Sequence, residues 1–162
     1  MLSEKLNNEL NIQINKEFHS AYLYLSISKY FIENGLYGFG HWCKKQAQEE
    51  VEHGMLIFNF LLETNEKIDL MQIMPPENNF KNAIETVKEI LVHEKHITDF
   101  IKNINILAHE ENAFTTQNLL EKMLEEQIEE EAQAYEIYSK MKLFGDCKSA
   151  LYILDKELSQ RQ

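Results

Sequence analysis

With 162 residues, 44% of them hydrophobic, the chain fits one globular domain with a sizeable core and is not a disordered polymer. Its formal net charge of −11 argues against nucleic acid as a partner, since phosphate binding needs a basic stripe, whereas an acidic field concentrates cations. No apolar run approaches the ~18–20 residues of a membrane span, and the opening Met1 to Lys5 lacks the apolar core of a signal peptide. No membrane partner and a cytoplasmic location are therefore expected. Cys43 and Cys147 form no CxxC pair and no zinc spacing, and are read as free thiols in a reducing compartment. Five glycines and two prolines favour long helices over a turn-rich β fold.

Apolar residues recur at three-four spacing in five segments. The first runs from about Glu4 to Glu33 and stops at Asn34-Gly35, a helix-terminating signal. The second covers Phe39 to Glu63. From Thr64 to about Phe80, including Pro75-Pro76, helical signals are absent. The third helix covers Lys81 to Ala108 and the fourth Asn112 to Leu143, ending at Gly145. A short fifth starts at Asp146, read as its N-cap, and ends near Leu158. Short links make helices one and two, and three and four, antiparallel neighbours. An extended link at roughly 3.3 Å per residue is long enough to run beside a whole helix. The expectation is an all-α four-helix bundle forming a single domain, with one long crossover and a short fifth helix. Ile68, Leu70, Met71, Ile73 and Met74 are apolar enough for the crossover to lie against the bundle or a neighbouring subunit.

The apolar stripes carry an interruption at one common depth. Helix one reads Leu10, Ile14, Glu17, Ala21, Tyr24, Ser28, Phe31, and helix two Phe39, Cys43, Gln46, Glu50, His53, Ile57, Phe60. Helix three reads Ile84, Val87, Leu91, Glu94, Thr98, Ile101, and helix four Leu120, Met123, Gln127, Glu130, Ala134, Ile137, Met141. Each helix thus brings a carboxylate to its own middle. A lone buried carboxylate is costly and takes up a proton, and four together repel one another. Two divalent cations would cancel the charge of Glu17, Glu50, Glu94 and Glu130. Residues three apart on a helix share a face, so Glu50-x-x-His53 grips a metal from one side. The imidazole nitrogen suits a transition metal better than Mg²⁺ or Ca²⁺. Inward carboxylates with Glu-x-x-His in a bundle are a di-iron arrangement.

On these residues the whole chain resembles a bacterial non-haem ferritin. The resemblance is carried by Glu17 with Tyr24, by Gln48 to His53, by His93-Glu94, by Glu126 to Glu131 and by Asp155 to Ser159. It implies that Glu17, Glu50 and His53 hold one iron and that Glu50 bridges to a second, held by Glu94 and Glu130 with Gln127 close by. It implies a third iron site on Glu49, Glu126 and Glu129, sharing Glu130, and a redox-assisting place for Tyr24. It also implies ferroxidase activity on Fe²⁺ with O₂ or H₂O₂ as oxidant. The mineral would be stored inside a hollow homo-oligomeric shell of 24 chains, with the fifth helix at its fourfold axes. Haem is not expected. Bacterioferritins carry a second Glu-x-x-His where this chain has Gln127-x-x-Glu130, and a haem-ligating Met where it has Glu52.

Within the acidic run, Glu125 and Glu131 are expected to be solvated, and His41, His93, His96 and His109 to be ordinary surface residues. His109, near the turn between helices three and four, is also placed for a part in iron entry. Two rival functions use the same bundle. One is a di-iron peroxidase or oxygenase of small oligomeric state, which the lack of a substrate-binding insertion disfavours. The other is a metal-buffering bundle without turnover.

Overall fold

The computed structural model describes residues 1–161 and consists of five helices, with no strand among the described residues. They are α1 (Glu4–Glu33), α2 (Tyr37–Glu63), α3 (Ala83–Glu110), α4 (Phe114–Phe144) and α5 (Lys148–Leu158). Helices α1 and α2 pack as one hairpin and α3 and α4 as another, α1 meets α3 across the bundle, and α5 lies against α2 and α4.

Local chemistry sets the ends. Ser3 caps α1, its hydroxyl accepting from the Leu6 N–H at 3.0 Å, and Asn82 caps α3 by accepting from the Glu85 N–H at 2.9 Å. Three helices end in the same Schellman turn. In α1, Leu36 N–H donates to Phe31 at 2.9 Å and Gly35, at φ 78°, to Ile32 at 3.0 Å. Asn65 and Asn112, both at φ 56°, occupy the equivalent left-handed position after α2 and α3. Asparagine tolerates that conformation better than most side chains. Asn112 therefore closes α3 rather than opening the fourth helix, which begins at Phe114.

The fifth helix also starts later than expected. Cys147, not Asp146, is its N-cap residue, and no side chain caps it. α2 begins after Leu36 with no cap of its own, and α5 supplies one from a distance. The buried Asp155 carboxylate accepts from the Phe39 N–H at 3.0 Å, placing negative charge at the positive end of α2. Gly38 makes this seat possible, because a Cβ there would stand 1.6 Å from the Asp155 carbonyl oxygen.

Side chains of α1 hold the crossover. Asn11 donates to Lys67 O at 3.0 Å and accepts from Asp69 N–H at 2.7 Å, and Ser26 donates to Glu77 O at 2.6 Å. Ile68 packs into the bundle, whereas Leu70, Met71, Ile73 and Met74 face outward.

The core is two apolar clusters with a polar layer between them. One gathers Tyr24, Phe31, Phe39, Trp42, Ile137 and Leu154. The other gathers Leu6, Leu10, Ile57, Ile101, Leu120 and Met123. Between them Glu17, Glu50, His53, Glu94, Gln127 and Glu130 are all buried. The depth at which the four stripes break is thus the midplane of the bundle.

Gly38→Ala is expected to push α5 off its seat and cost about 2–3 kcal/mol, as overpacking at a rigid backbone contact does. A lowered urea midpoint with new protease cleavage between α4 and α5 would report it. Gly54→Ala meets only the Phe18 ring, at 2.8 Å, and should cost less because that side chain can turn.

Candidate metal centre

Glu17 comes from α1, Glu50 and His53 from α2, Glu94 from α3 and Glu130 from α4. They form two overlapping groups. Glu17, Glu50 and His53 bring one ligand atom each within 4.8 Å of one another, and Glu50, Glu94 and Glu130 do the same. Glu50 belongs to both groups, the position a bridging carboxylate would take.

The partners of these side chains orient them. Gln13, one turn before Glu17, donates to its Oε1 at 2.8 Å. The Tyr24 hydroxyl donates to Glu94 Oε1. Gln127 donates through Nε2 to Glu94 Oε2 at 3.1 Å, so its amide N–H faces the carboxylate it was expected to accompany. Thr98 donates to the Glu94 carbonyl at 3.0 Å and shares its hydroxyl with Glu131 Oε1 at 2.6 Å. Glu131 is therefore not simply solvated, whereas Glu125 is exposed. His53 Nε2 lies 2.9 Å from Glu126 Oε2, and Nδ1 lies 3.9 Å from Glu50 Oε2. A neutral imidazole donating from Nε2 to Glu126 leaves the Nδ1 lone pair facing the centre, as an outer carboxylate does for a metal-ligating histidine.

Several oxygens in the layer meet no hydrogen-bond donor among the described residues. Glu17 Oε2, both oxygens of Glu50 and Glu130 Oε2 are buried without a hydrogen bond. Such atoms carry the full desolvation penalty. Burial accordingly raises the affinity of all four carboxyls for a proton. For Glu17 it outweighs the hydrogen bond from Gln13, and for Glu94 those from Tyr24 and Gln127. Glu50 is driven well above the ordinary carboxylate range by burial and by the charges of Glu17, Glu94 and Glu130. Glu130 is pushed up to about 9 by burial, then by Glu94 and Glu17. Hard oxygen donors without partners, converging with one imidazole, fit a pair of transition-metal cations.

Beside the centre a pocket of about 380 Å³ opens to the surface. Glu49, Glu126 and Glu129 line it, with His53 and Glu130 at its inner wall. The three outer carboxylates do not converge as the inner groups do. Glu126 is engaged with His53, and Glu49 Oε2 accepts from Arg161 Nη2 at 2.6 Å.

His93 departs from its expected surface role. It is largely buried, its Nε2 lies 2.8 Å from Ser20 Oγ, and it meets the Tyr24 ring edge-on at 6.4 Å. Burial lowers its pKa to about 4, so it stays neutral. His41 is half-buried against the Arg161 carbonyl at 2.8 Å, while His96 and His109 are exposed. Sequence reasoning passed over Gln13, Thr98 and Arg161. A polar residue four before Glu17 was the available signal for Gln13. Nothing local signalled Arg161, since its partners lie more than a hundred positions away. Both cysteines are free, Cys43 buried and Cys147 exposed.

The family model described as Ferritin-like domain matches residues 7–144. The bacterial non-heme ferritin of Bacteroides fragilis (strain 638R) is 36% identical over 163 aligned residues, covering 99% of this chain and 100% of that protein. That of Campylobacter jejuni is 37% identical over 158, covering 96% and 93%. Among solved structures, the open pore ferritin of the hyperthermophilic archaeon Archaeoglobus fulgidus superposes with a TM-score of 0.97 at 41% identity, covering 99% of this chain and 98% of that one. A four-helix bundle with a buried carboxylate layer, matched along nearly its whole length by such relatives, places the chain in the ferritin family, among the bacterial non-haem ferritins.

Proposed function

We propose that this chain is a ferroxidase that oxidises Fe²⁺ at a di-iron centre inside each subunit and stores the ferric product as mineral within a 24-chain shell. Membership of the ferritin family supports iron storage and ferroxidase chemistry in general. The observation that carries the specific reading is the set of unpartnered oxygens on Glu17, Glu50 and Glu130 at the bundle midplane. In this reading Glu17 and His53 hold one iron, Glu94 and Glu130 the other, and Glu50 bridges them. Gln127 and Tyr24 hold Glu94 in place.

Each cation that enters displaces protons from the carboxyls, and the anionic oxygens then stabilise the higher charge of the ferric state. Each Fe²⁺ gives up one electron. O₂ takes both electrons with two protons and leaves as hydrogen peroxide, or H₂O₂ takes them with two protons and leaves as two waters. When only one Fe²⁺ is bound, Tyr24 is placed to supply the second of the two electrons that the oxidant takes, becoming a tyrosyl radical as its phenolic proton passes along the hydrogen bond to Glu94. The pocket lined by Glu49, Glu126 and Glu129 serves as the next station for iron on its way out. A cytoplasmic location fits this role, and no described helix is long and apolar enough to cross a membrane.

Sedimentation combined with aerobic Fe²⁺ addition tests the whole reading. A particle near 24 subunits and rising ferric absorbance without precipitate are expected. A monomer or dimer that lets iron precipitate would exclude storage and favour a small di-iron oxidase. Replacing Glu50 and His53 together by Ala should slow oxidation by more than the ~10–100-fold typical of outer-shell partners, with assembly intact. Oxidation at the parent rate would sink the assignment.

Burial of the carboxyls also predicts how pH acts on the metal-free protein. The folded chain holds protons that the unfolded chain releases above about 4.5, so this stability is present in acid and lost as pH rises toward about 9 for Glu130. His93 acts oppositely, and its contribution levels off about one unit above the ordinary imidazole value of 6.5. From there up to about 9 the carboxyls dominate, and the Tm of the metal-free protein should fall. Saturating Zn²⁺ should remove most of that slope, because the cations replace the protons. A Tm independent of pH without metal would contradict the raised pKa values.

A further inference from the structure

Arg161 is the only arginine in the sequence, and it lies on the wall of the acidic pocket. Three contacts hold it there, all to α2. Its Nη2 donates to Glu49 Oε2 at 2.6 Å, its guanidinium stands 5.1 Å from the centre of the Trp42 ring, and its carbonyl meets His41 Nε2 at 2.8 Å. The side chain is only 18% exposed, yet Nη1 is buried with no hydrogen-bond partner among the described residues. The guanidinium is thus drawn to Glu49 and Trp42 but incompletely satisfied.

We propose that Arg161 is a displaceable internal cation that competes with iron for Glu49 in the outer pocket, and so keeps that site weak enough to release the ferric ion. The inference rests on the reading of Glu49, Glu126 and Glu129 as a third cation site. A metal ion at the pocket needs the Glu49 carboxylate, one oxygen of which the guanidinium already holds. It would also sit close to a fixed positive charge in a partly desolvated site, where like charges repel strongly. Iron arriving from the inner pair therefore has to push Arg161 off Glu49. When the ion leaves, Arg161 returns and closes the carboxylate to recapture. The fork and the flat face of the guanidinium matter together, since one engages Glu49 and the other lies over Trp42.

The assembled, metal-free protein can be titrated with Zn²⁺, a cation that undergoes no redox change, by calorimetry. Wild type, Arg161→Gln and Arg161→Lys are compared. Two tight binding events from the inner centre should be unchanged in all three. The third and weakest should tighten about tenfold in Arg161→Gln, the scale of one charge-assisted hydrogen bond, and much less in Arg161→Lys, which keeps the charge. Trp42 is the only tryptophan, so its emission reports the guanidinium directly. In wild type it should change as the third event fills, and in Arg161→Gln that change should be absent. A third event that is unaltered or weaker in Arg161→Gln, or a Trp42 signal indifferent to it in wild type, overturns the proposal. Absence of any third event in all proteins overturns it together with the third site, while leaving the inner centre standing on the first two. Loss of those two events as well would instead reject the inner metal centre.

Discussion

The structure turns on the cost of placing four carboxyls in one layer of a helical bundle. Glu17, Glu50, Glu94 and Glu130 cannot all be ionised there without countercharge, because each is removed from water and faces the others. Nor does the surrounding protein satisfy them. Gln13, Tyr24 and Gln127 engage Glu17 and Glu94 on their outer sides, which leaves oxygens of Glu17, Glu50 and Glu130 bare toward one another. A core built for stability alone would fill this space with apolar side chains. The apolar clusters above and below therefore carry the fold, and the layer between them is held in place at their expense.

That burden explains the care taken at the helix ends. A midplane site on four helices holds its geometry only if the helices cannot slide or turn relative to one another. Schellman turns at Gly35, Asn65 and Asn112 fix where three helices stop. Asp155 fixes where α2 begins, and α2 carries both Glu50 and His53. Crossover bonds from Asn11 and Ser26 tie the link between the hairpins to α1 on either side of Glu17. α5 is thus more than an appendage, since its Asp155 closes the N-terminus of the helix that carries both Glu50 and His53.

Much of this was legible in the sequence. The three-four repeat gave the helices to within a few residues, and a Glu inside each apolar stripe gave the depth of the site, because burial and periodicity are both local properties of a helix. Asn112 was misassigned because a left-handed Asn that ends one helix looks like a residue that starts the next. His93 was misread for a different reason. It precedes Glu94 and so lies beside the stripe, and only the packing of α1 against α3 brings Ser20 and Tyr24 over it. The link from Asp155 to Phe39 and the links from Arg161 to Glu49 and His41 span more than a hundred residues. No periodicity encodes such contacts, which exist only once α5 has docked.

The protein manages carboxylate charge in two ways, according to depth. In the buried layer burial raises the proton affinity of Glu50 and Glu130, and Glu130, pushed up to about 9, holds its proton at neutral pH. In the outer pocket the carboxylates are partly exposed. There side chains engage the carboxylates, the His53 imidazole beside Glu126 and the Arg161 guanidinium beside Glu49. From the layer to the pocket, oxygens without a donor on Glu17, Glu50 and Glu130 give way to oxygens of Glu126 and Glu49 that already have partners. His53 sits at the boundary, facing Glu50 with one nitrogen and Glu126 with the other, so the two regimes are joined through a single imidazole.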